Sequence, residues 1–407
     1  MMEICPKEKC TGCYACVNAC VHHCISMQED IDGAVRPVID ESNCIDCKKC
    51  VLVCPNNSDM TYHYPIKCFA SWITDRKKRS ICASGGIGTI MAEYVLGQGG
   101  VLFGSRYDKC LNPIMTYTEK LEELEYFKGS RYVQSLVGDT TYKQAKAFLR
   151  ADRLVLFVGT PCQIAGLKTY LRREYSNLIT VDLICHGTCP PKYLKDEVGY
   201  LSTKYHLSNV SDIRFRGNDG NNYRLTLWDK DRRKLFPRDN YREKLLRLQE
   251  AQQYYMQGFL LGVSLRENCY SCNYARPERI SDITIGDFIG LGSESPFMEN
   301  EQNVSSVLVN TEKGQDFYEH VTEKTETLHN DERNYSERLI YKPSLVYPFP
   351  RHEKNAEFVR YYKSLGFTKA IRKTLSKELR RKQLEPYIYK MSLVYRVPRK
   401  IYRILFG

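Results

Sequence analysis

The middle of the chain alternates short apolar runs with segments whose apolar residues have helical spacing. The runs VLFGSRY (101–107), LVLFV (154–158) and NLITVDLIC (177–185) predict strands, and TYKQAKAFLR (141–150) and QIAGLKTYLRR (163–173) predict helices. A strand, a helix and a strand at this spacing form a parallel βαβ unit with a right-handed crossover. The alternation therefore predicts an α/β domain in which helices flank a central sheet.

Later segments add strands and turns to this sheet. DITIGDFIGLG (282–292) predicts a strand that enters a glycine-rich turn, and SSVLVNTEKG (305–314) predicts another strand and turn. Residues 212–228 predict a β-hairpin with its turn around residues 218–222. Asp287, in the glycine-rich turn region, could orient a cofactor or could only cap the turn.

Two glycine-containing turns are candidates for cofactor binding. The turn Ser84-Gly85-Gly86 opens the helical run IGTIMAEYVL, and Ser84 is predicted to cap that helix. Such a turn lets a phosphate or a flavin ring approach bare backbone amides at the positive end of a helix. The segment FKGSRYVQS (127–135) places Lys128 and Arg131 around another glycine. Tight packing explains these turns equally well, so they do not decide the question alone.

The composition is that of a globular protein with more than one domain. The chain has 407 residues, of which 43% are hydrophobic and 27% are charged. It contains no apolar run near the length of a membrane span, and its first residues are polar and include cysteine. The sequence therefore predicts a cytoplasmic protein without a membrane span.

The net charge of +12 lies entirely in the last residues. Residues 351–407 contain 16 Lys and Arg against 4 Glu and no Asp, so the first 350 residues are formally neutral.

The same tail interleaves its basic residues with aromatic and aliphatic ones at helical spacing. A basic amphipathic helix can lie on an anionic membrane at the inner face of the cell, or meet an acidic partner. The alternative is a helix that docks on its own domain with its lysines reaching solvent. Nucleic acid is not favoured, because no recognised binding module accompanies the charge.

Cysteine is the most unusual feature, with 18 copies, ten of them between Cys5 and Cys54. In a reducing cytosol this number indicates metal or redox chemistry rather than disulfides. Residues 10–20 and 44–54 both have the spacing C-x2-C-x2-C-x3-C. In such runs three cysteines hold one 4Fe–4S cluster, and the fourth ligates the cluster of the other run. The predicted ligand sets are Cys10, Cys13, Cys16 and Cys54 for one cluster, and Cys44, Cys47, Cys50 and Cys20 for the other.

Zinc is the structural alternative, but zinc sites usually pair two C-x2-C elements, and they do not need a third cysteine after a further two residues. The segment resembles bacterial two-cluster ferredoxins, with Val21 standing where that family usually has proline. Cys5 and Cys24 are surplus to the two ligand sets, and Cys24 is predicted to pack as a small apolar residue.

Four further cysteines predict a third 4Fe–4S cluster. Cys162 and Cys185 each follow the carboxyl end of a predicted parallel strand, where open α/β sheets bind ligands. Cys269 and Cys272 supply a C-x2-C pair, and the start of a helix at Cys162 is expected to stabilise its thiolate. Cys189 is a rival for Cys185. The alternative is that Cys162 and Cys185 are buried thiols and that the C-x2-C pair is half of a zinc site.

These stretches together resemble the coenzyme F420 hydrogenase/dehydrogenase beta-subunit family over about residues 1–315. The resemblance implies an FAD-binding α/β domain with a nearby 4Fe–4S cluster, which passes electrons between iron–sulfur centres and a two-electron carrier. In archaeal members that carrier is a deazaflavin. The matching segments are ASGGI (83–87), FKGSRYVQS (127–135), LFVGTPCQIAGLKTYL (156–171), DLICHG (182–187), CYSC (269–272) and DITIGDFIG (282–290).

The resemblance also implies site residues. Cys162, Cys185, Cys269 and Cys272 would ligate the cluster. The expected flavin contacts are Ser84, Gly85, Gly86, Thr89, Lys128, Gly129, Ser130 and Asp287. Departures from the family are Cys82 in place of Ser, Gly88 in place of a larger residue, and Thr188-Cys189 in place of Val-Pro. These departures affect the shape of the pocket, and so the substrate, more than the fold.

The resulting prediction is an iron–sulfur flavoprotein oxidoreductase with three parts. Residues 1–65 would form an α+β ferredoxin-like domain with two clusters, residues 66–350 an α/β domain with FAD and the third cluster, and residues 351–407 a basic helical tail. A ferredoxin or another redox protein would be its partner. The substrate would be a deazaflavin-like carrier or, in a bacterial setting, a metabolite of polysaccharide assembly. The alternative is an electron-transfer subunit or scaffold that feeds a partner enzyme and has no substrate of its own.

Overall fold

The N-terminal part of the chain is a small α+β unit that repeats one motif. The computed structural model describes residues 3–216, 223–237, 253–298 and 303–384. Strands β1 (Ile25–Glu29) and β2 (Val35–Ile39) pair antiparallel, while helices α1 (Ala15–Ala19) and α2 (Lys49–Leu52) contact each other. Each short helix follows a residue in the left-handed conformation, Tyr14 with φ 65° and Lys48 with φ 57°. The two cysteine runs thus adopt the same local structure, as their repeated spacing predicts.

The rest of the described chain forms one large and one small sheet. In the large sheet the strand order is β13–β3–β12–β11–β7–β6–β4–β5, and the small sheet has the order β10–β9–β8. The strands are β3 (Lys67–Ile73), β4 (Val101–Tyr107), β5 (Pro113–Thr118), β6 (Val155–Gly159), β7 (Leu178–Leu183), β8 (Asp212–Arg214), β9 (Thr226–Trp228), β10 (Lys234–Phe236), β11 (Ile283–Asp287), β12 (Ser305–Val309) and β13 (Leu328–Arg333).

The centre of the large sheet is parallel and its edges are antiparallel. Strands β4, β6, β7 and β11 run parallel to their neighbours in that series, which confirms the predicted βαβ unit. Strands β5, β12, β3 and β13 pair antiparallel, so the sheet is mixed. The predicted hairpin is also present, because β8 pairs antiparallel with β9, although its turn lies outside the described residues.

Helices cover both faces of the sheet. Val155, Leu156 and Phe157 of β6 are all fully buried, which is typical of a central parallel strand with both faces covered. Phe157 packs with helices α5 and α6, and Leu156 packs with α4 and α9. The helices are α3 (Arg76–Ser80), α4 (Ile87–Gly97), α5 (Thr141–Arg150), α6 (Pro161–Leu171), α7 (Pro191–Tyr205), α8 (Tyr254–Leu260), α9 (Glu312–Glu323), α10 (Tyr335–Leu339), α11 (Asn355–Leu365) and α12 (Phe367–Thr374).

The N-terminal unit is fixed to the face of the sheet that carries α5 and α6. Helix α1 contacts both of these helices. The Asn18 side chain donates a hydrogen bond to the carbonyl oxygen of Gly138 (2.9 Å), and the Tyr142 amide donates one to Asn18 Oδ1 (3.1 Å). A Cβ atom at Gly166 of α6 would lie 2.9 Å from Cβ of Cys13, so only glycine permits this approach. The cysteines of the first run therefore lie against the α/β region.

The described part of the basic tail packs on the body of the protein. Phe358 of α11 and Phe367 and Ile371 of α12 are buried in a core shared with α7 and α8. The apolar side of these helices is therefore used inside the chain, as the docked-helix alternative predicts. No helix within the described ranges is long and apolar enough to cross a membrane. Residues 385–407 of the predicted tail lie outside the described residues.

Candidate functional site

Two small cavities in the N-terminal unit are lined by the predicted ligand sets. Cavity I is lined by the thiols of Cys10, Cys13, Cys16 and Cys54, and cavity II by those of Cys20, Cys44, Cys47 and Cys50. Each cavity thus receives three cysteines from one run and the fourth from the other run, as the spacing predicts. The donor sets fit two 4Fe–4S clusters, and the assignment of each thiol as a ligand stays a prediction.

Each of these cavities has a fifth thiol that the ligand sets do not use. Cys5 lines cavity I and Cys24 lines cavity II. The sulfur of Cys24 lies 3.3 Å from that of Cys20, so Cys24 is in contact with a predicted ligand. It is also buried in the core of the unit, as its predicted packing role requires. The contact between the two sulfur atoms was not expected from the sequence.

A third cavity, cavity III, is lined by the four cysteines that lie farther along the chain. Cys162, Cys185, Cys269 and Cys272 converge there from distant segments of the sequence. Cys189, the rival of Cys185, is fully buried in another core, where its sulfur lies 3.3 Å from Ser264 Oγ. The structure thus brings together the predicted quartet and places Cys189 apart from it.

The local structure explains how these cysteines are positioned. Helix α6 begins with a capping box, in which Thr160 and Gln163 satisfy each other's backbone amides. This fixes Cys162 in the first turn, with its sulfur 3.2 Å from Thr160 Oγ1. Cys185 follows the end of β7, and Cys269 lies in a 3-10 helix that spans Glu267–Ser271.

A buried ion pair fixes the later segment to the sheet. Nη2 of Arg279 lies 3.2 Å from Oδ2 of Asp182 on β7, and both side chains are almost fully buried. Arg279 also donates hydrogen bonds to the carbonyl oxygens of Tyr274 and Leu183. The pair therefore holds the segment that carries Cys272 beside the strand that precedes Cys185.

Burial favours the protonated form of three metal-free thiols of cavity III. It raises the pKa of Cys162 and of Cys185, and it raises the pKa of Cys272 to about 12. The backbone at the helix start lowers the pKa of Cys162, as expected from the sequence, but burial outweighs this effect in the metal-free protein. Metal binding would displace these protons, since the thiolate is the ligand.

A much larger cavity of about 670 Å³, here called the main cavity, lies at the carboxyl ends of the parallel strands. This is the position at which open α/β sheets bind their ligands. Six of the eight predicted flavin contacts line it, namely Ser84, Thr89, Lys128, Gly129, Ser130 and Asp287. The volume is within the range of cofactor sites in proteins.

Gly85 and Gly86 do not line the main cavity, so the structure gives them another role. A Cβ atom at Gly85 would lie 2.2 Å from the carbonyl oxygen of Ser71, which makes this glycine a requirement of close packing. Gly86, with φ +88°, is the residue that caps helix α4. The prediction that Ser84 caps this helix is wrong, because its hydroxyl donates to the carbonyl oxygen of Val304 (3.1 Å) instead.

A hydrogen-bonded cluster surrounds Asp287 on the wall of the main cavity. Oδ2 of Asp287 accepts hydrogen bonds from Arg216 Nη1 and from the Tyr223 hydroxyl, both at 2.5 Å. Burial raises the pKa of Asp287, but the charge and hydrogen bond of Arg216 outweigh burial, so the pKa lies below its ordinary range. Asp287 is therefore an ionised carboxylate held in place, which is more than the capping of a turn.

The loop of Lys128, Gly129 and Ser130 is shaped by Arg131. The guanidinium of Arg131 donates hydrogen bonds to the carbonyl oxygens of Tyr126, Phe127, Lys128 and Gly129. Nζ of Lys128 in turn lies 3.0 Å from Oε2 of Glu125. These contacts fix the loop at the cavity wall.

Sequence reasoning missed several residues of the main cavity. These residues include Arg216, Tyr223, His186, Arg338, Tyr341 and Phe349, all of which line the main cavity. Arg216 and Tyr223 flank the turn of the predicted hairpin and His186 lies in the family segment 182–187, which offered signals, whereas Arg338, Tyr341 and Phe349 lie in segments without any recognisable spacing.

Cavity III adjoins its neighbours on both sides. It shares wall residues with the main cavity, among them Cys185, His186 and Phe349. It also shares Thr11 and Gly12 with cavity I. The Arg266 guanidinium bridges the two by donating to the carbonyl oxygen of Thr11 (2.5 Å) and to that of Cys10 (3.3 Å). A short path therefore leads from cavity I through cavity III to the main cavity.

Comparison with known proteins agrees with this arrangement. Residues 9–58 match the 4Fe-4S dicluster domain, and residues 152–333 match the family described as the C terminus of the coenzyme F420 hydrogenase/dehydrogenase beta subunit. The curated coenzyme F420-dependent sulfite reductase of Methanocaldococcus jannaschii is 25% identical over 373 residues, which cover 88% of this chain and 53% of that protein. The chain thus spans about half the length of this relative.

A solved structure is also similar. A chain of the F420-reducing [NiFe] hydrogenase complex from Methanosarcina barkeri has 13% sequence identity and a TM-score of 0.40, with 79% of this chain and 95% of that chain covered. The family matches confirm the resemblance that the sequence motifs indicate: the N-terminal residues match a 4Fe–4S dicluster domain, and residues 152–333 match the C-terminal region of the coenzyme F420 hydrogenase/dehydrogenase beta subunit.

Proposed function

We propose that the chain is an iron–sulfur flavoprotein that passes electrons between three 4Fe–4S clusters and an FAD in the main cavity. Electron transfer of the iron–sulfur oxidoreductase type is what its family relationship establishes. The observation that carries the finer proposal is that cavity III shares wall residues with both cavity I and the main cavity. A third cluster in cavity III would lie directly beside a flavin.

The residues of the chain have separate tasks in this proposal. Cys162, Cys185, Cys269 and Cys272 would hold the third cluster, and Ser84, Thr89 and the loop of Lys128, Gly129 and Ser130 would hold the flavin. When bound, a flavin accepts or donates one or two electrons and so joins one-electron clusters to hydride chemistry. The rings of His186 and Phe349 contact each other at a tilt, with centroids 3.9 Å apart, and both line cavity III as well as the main cavity.

Electrons would enter or leave through cavity II. Cys47 is exposed, and the apolar side chains of Val21 and Ile45 beside this cavity are 61% and 63% exposed. An exposed apolar rim around an electron-transfer centre suits transient contact with another redox protein. This supports a ferredoxin or a related protein as the partner at this end of the path.

The two-electron carrier at the other end is proposed to be a deazaflavin. The curated relative is named for its dependence on coenzyme F420, and part of the wall of the main cavity, including Cys185, His186 and Asp287, lies within the residues that match the F420 hydrogenase/dehydrogenase family. An electron-transfer subunit without a substrate of its own is the second candidate, because the exposed rim of cavity II suits a protein partner equally well. A metabolite of polysaccharide assembly has no support from the described residues.

The test is the cofactor content of the anaerobically purified full chain. It should contain about twelve iron and twelve sulfide per chain, the sum of three cubanes, and release one FAD on denaturation. Dithionite should reduce the clusters and the flavin together. Intact clusters without flavin after reconstitution would support the electron-transfer subunit instead, and stoichiometric zinc without sulfide would contradict both candidates.

A further inference from the structure

The wall of the main cavity carries more positive than negative charge. Its described lining residues include the cations Lys128, Arg131, Arg216 and Arg338 but the single carboxylate Asp287. Lys128 is paired with Glu125 behind the wall, and Arg216 is paired with Asp287. Both Nη atoms of Arg131 donate to backbone carbonyl oxygens, and only its Nε has no partner among the described residues. Arg338 differs from all three.

Arg338 is a buried guanidinium whose hydrogen-bonding capacity is unused. Its side chain belongs to helix α10 and is 2% exposed. Within the described part of the chain, neither Nε nor Nη1 has a hydrogen-bond partner. The ring of Tyr341, which also lines the main cavity, lies 5.7 Å from its Cζ. A cation so placed is costly unless an anion or an acceptor meets it.

The carboxylates near Arg338 are already engaged elsewhere. The neighbouring Glu337 receives Nη2 of Arg333 at 2.8 Å and the backbone amides of Glu294 and Ser295 at 3.2 Å. Asp287, whose charge acts on Arg338, is held by Arg216 and Tyr223. An arginine keeps its proton even when it is buried, so the charge is not relieved by deprotonation. Arg338 therefore retains a full charge and free donors at the wall of the main cavity.

We propose that Arg338 is the receptor for an oxyanion that enters the main cavity. The planar fork of a guanidinium matches two oxygens of a phosphate or a carboxylate. Nε and Nη1 lie on opposite sides of Nη2, so each of the two edges of the guanidinium has a donor without a described partner, on a residue that lines the volume that a ligand would fill. Tyr341 adds an aromatic face beside the fork. Arg338 lies outside the family match, which ends at residue 333.

Two sources can supply such an oxyanion. One is the phosphate of the flavin, in which case the inference rests on the proposed function. The other is an anionic group on the second substrate, which would meet Arg338 in the flavin-loaded protein. Both share the same chemistry at Arg338, and they differ in what a substitution does to flavin binding.

The experiment compares Arg338→Met and Arg338→Lys with the wild-type full chain and with Arg153→Met. Arg153 is a partly exposed arginine that pairs with Glu119 away from the main cavity, so it controls for loss of one positive charge. Dissociation constants are measured for riboflavin, FMN and FAD on cluster-containing protein freed of flavin. The binding of inorganic phosphate is then measured by calorimetry on both the flavin-loaded and the flavin-free proteins.

If Arg338 binds the flavin phosphate, Arg338→Met should weaken FAD binding roughly tenfold to a hundredfold, the range for a hydrogen bond to a charged group, and leave riboflavin unchanged. If it binds the substrate anion, FAD binding should stay unchanged and inorganic phosphate should bind the flavin-loaded variant more weakly by the same factor. Arg338→Lys should fall between wild type and Arg338→Met in either case, because it keeps the charge and loses the fork.

The inference is overturned if Arg338→Met binds FAD and inorganic phosphate as the wild type does. It is also overturned if Arg338→Lys equals Arg338→Met in both measurements while folded, or if Arg153→Met weakens binding equally. Should Arg338→Met not fold, Arg338→Lys decides, since an unchanged affinity in that variant contradicts recognition by the fork. A wild-type chain that binds no flavin defeats the proposed function, and inorganic phosphate binding to the flavin-free variants still decides the role of Arg338.

Discussion

The N-terminal unit and cavity III assemble four cysteines in opposite ways. In the N-terminal unit three thiols of each set come from one short run, and the two runs exchange only their last members. In cavity III the thiols come from the start of α6, the end of β7 and a C-x2-C pair at a 3-10 helix far along the chain. The first arrangement depends on local spacing, whereas the second depends on the whole sheet being formed.

The two kinds of site should differ in what stabilises them. Cavities I and II are bounded by short helices and a two-stranded sheet, and binding of clusters would itself organise such a unit. Cavity III lies on a sheet whose central strand is fully buried on both faces. Packing of the sheet sets the geometry of cavity III before any metal binds. A substitution that destabilises the sheet should therefore affect cavity III more than cavities I and II.

The largest effect is expected from removal of one thiol of cavity III. Cys162→Ser should lower the iron content from about twelve to about eight per chain and leave the spectroscopic signals of the N-terminal clusters intact. Reduction of the flavin through the clusters should stop. Iron analysis and electron paramagnetic resonance of anaerobic protein provide the measurement.

Cys189→Ser is the matched control for that variant, because Cys189 is a buried thiol apart from cavity III. It should keep about twelve iron per chain, by the same cluster count. An unchanged iron content in Cys162→Ser would show that Cys162 is only a buried thiol. Loss of iron in Cys189→Ser alone would reverse the choice between Cys185 and Cys189.

The sequence predicted the parallel centre of the sheet better than its edges. Strands β4, β6 and β7 are short apolar runs because both of their faces are covered, and such runs are visible in a sequence. The edge strand β13 reads LHNDER and is largely polar, so no apolar period marks it. It forms because it pairs antiparallel with β3, a contact between distant segments.

The residues of the candidate site also differ in how far the sequence predicts them. The cysteine quartets follow from spacing and from the rule that parallel strands end at one edge of a sheet. Arg338 lies in the polar stretch NYSERLIYK, where nothing in the order of residues separates a surface arginine from a buried one. Likewise, the role of Gly85 depends on the approach of Ser71 from another strand, and only the folded chain shows it.

A smaller effect is expected from the ion pair that fixes the segment of cavity III. Arg279→Met should lower the free energy of unfolding of the α/β region by about 3–5 kcal/mol, because it leaves Asp182 as a buried charge without its partner. Iron of cavity III should then exchange with a chelator faster than iron of the N-terminal unit. Anaerobic denaturant unfolding and chelator kinetics measure the two effects.

Arg276→Met is the control, because Arg276 forms a half-exposed pair with Glu278 in the same segment. Its effect on the free energy of unfolding should be about 0–1 kcal/mol. The double substitution of Asp182→Asn with Arg279→Met should recover part of the loss, since it removes both charges. Equal destabilisation by the Arg276 and Arg279 variants would show that the buried pair has no special role.

The smallest effect concerns Glu197, a buried carboxyl that links the tail to the α/β region. It accepts hydrogen bonds from the Tyr254 amide (3.0 Å) and the Thr368 hydroxyl (3.1 Å), and burial raises its pKa to about 8. Because the folded state holds this proton more tightly than the unfolded state, the contribution of Glu197 to stability is fully present below the ordinary pKa of a glutamate. It is lost as pH rises towards 8, by about 2 kcal/mol between about pH 5.5 and pH 7.

Glu197→Gln should remove this pH dependence and leave the protein more stable than wild type near neutral pH. Glutamine resembles the protonated carboxyl, because its oxygen can accept from the Tyr254 amide while its nitrogen donates to the Thr368 hydroxyl. Glu319→Gln, at an exposed carboxylate whose pKa is lowered by Gln315 and Lys67, should not change the slope in this window. Thermal unfolding of the full chain at several pH values measures the slope. A Glu197→Gln slope equal to that of the wild type would mean that the carboxyl is already ionised in the fold.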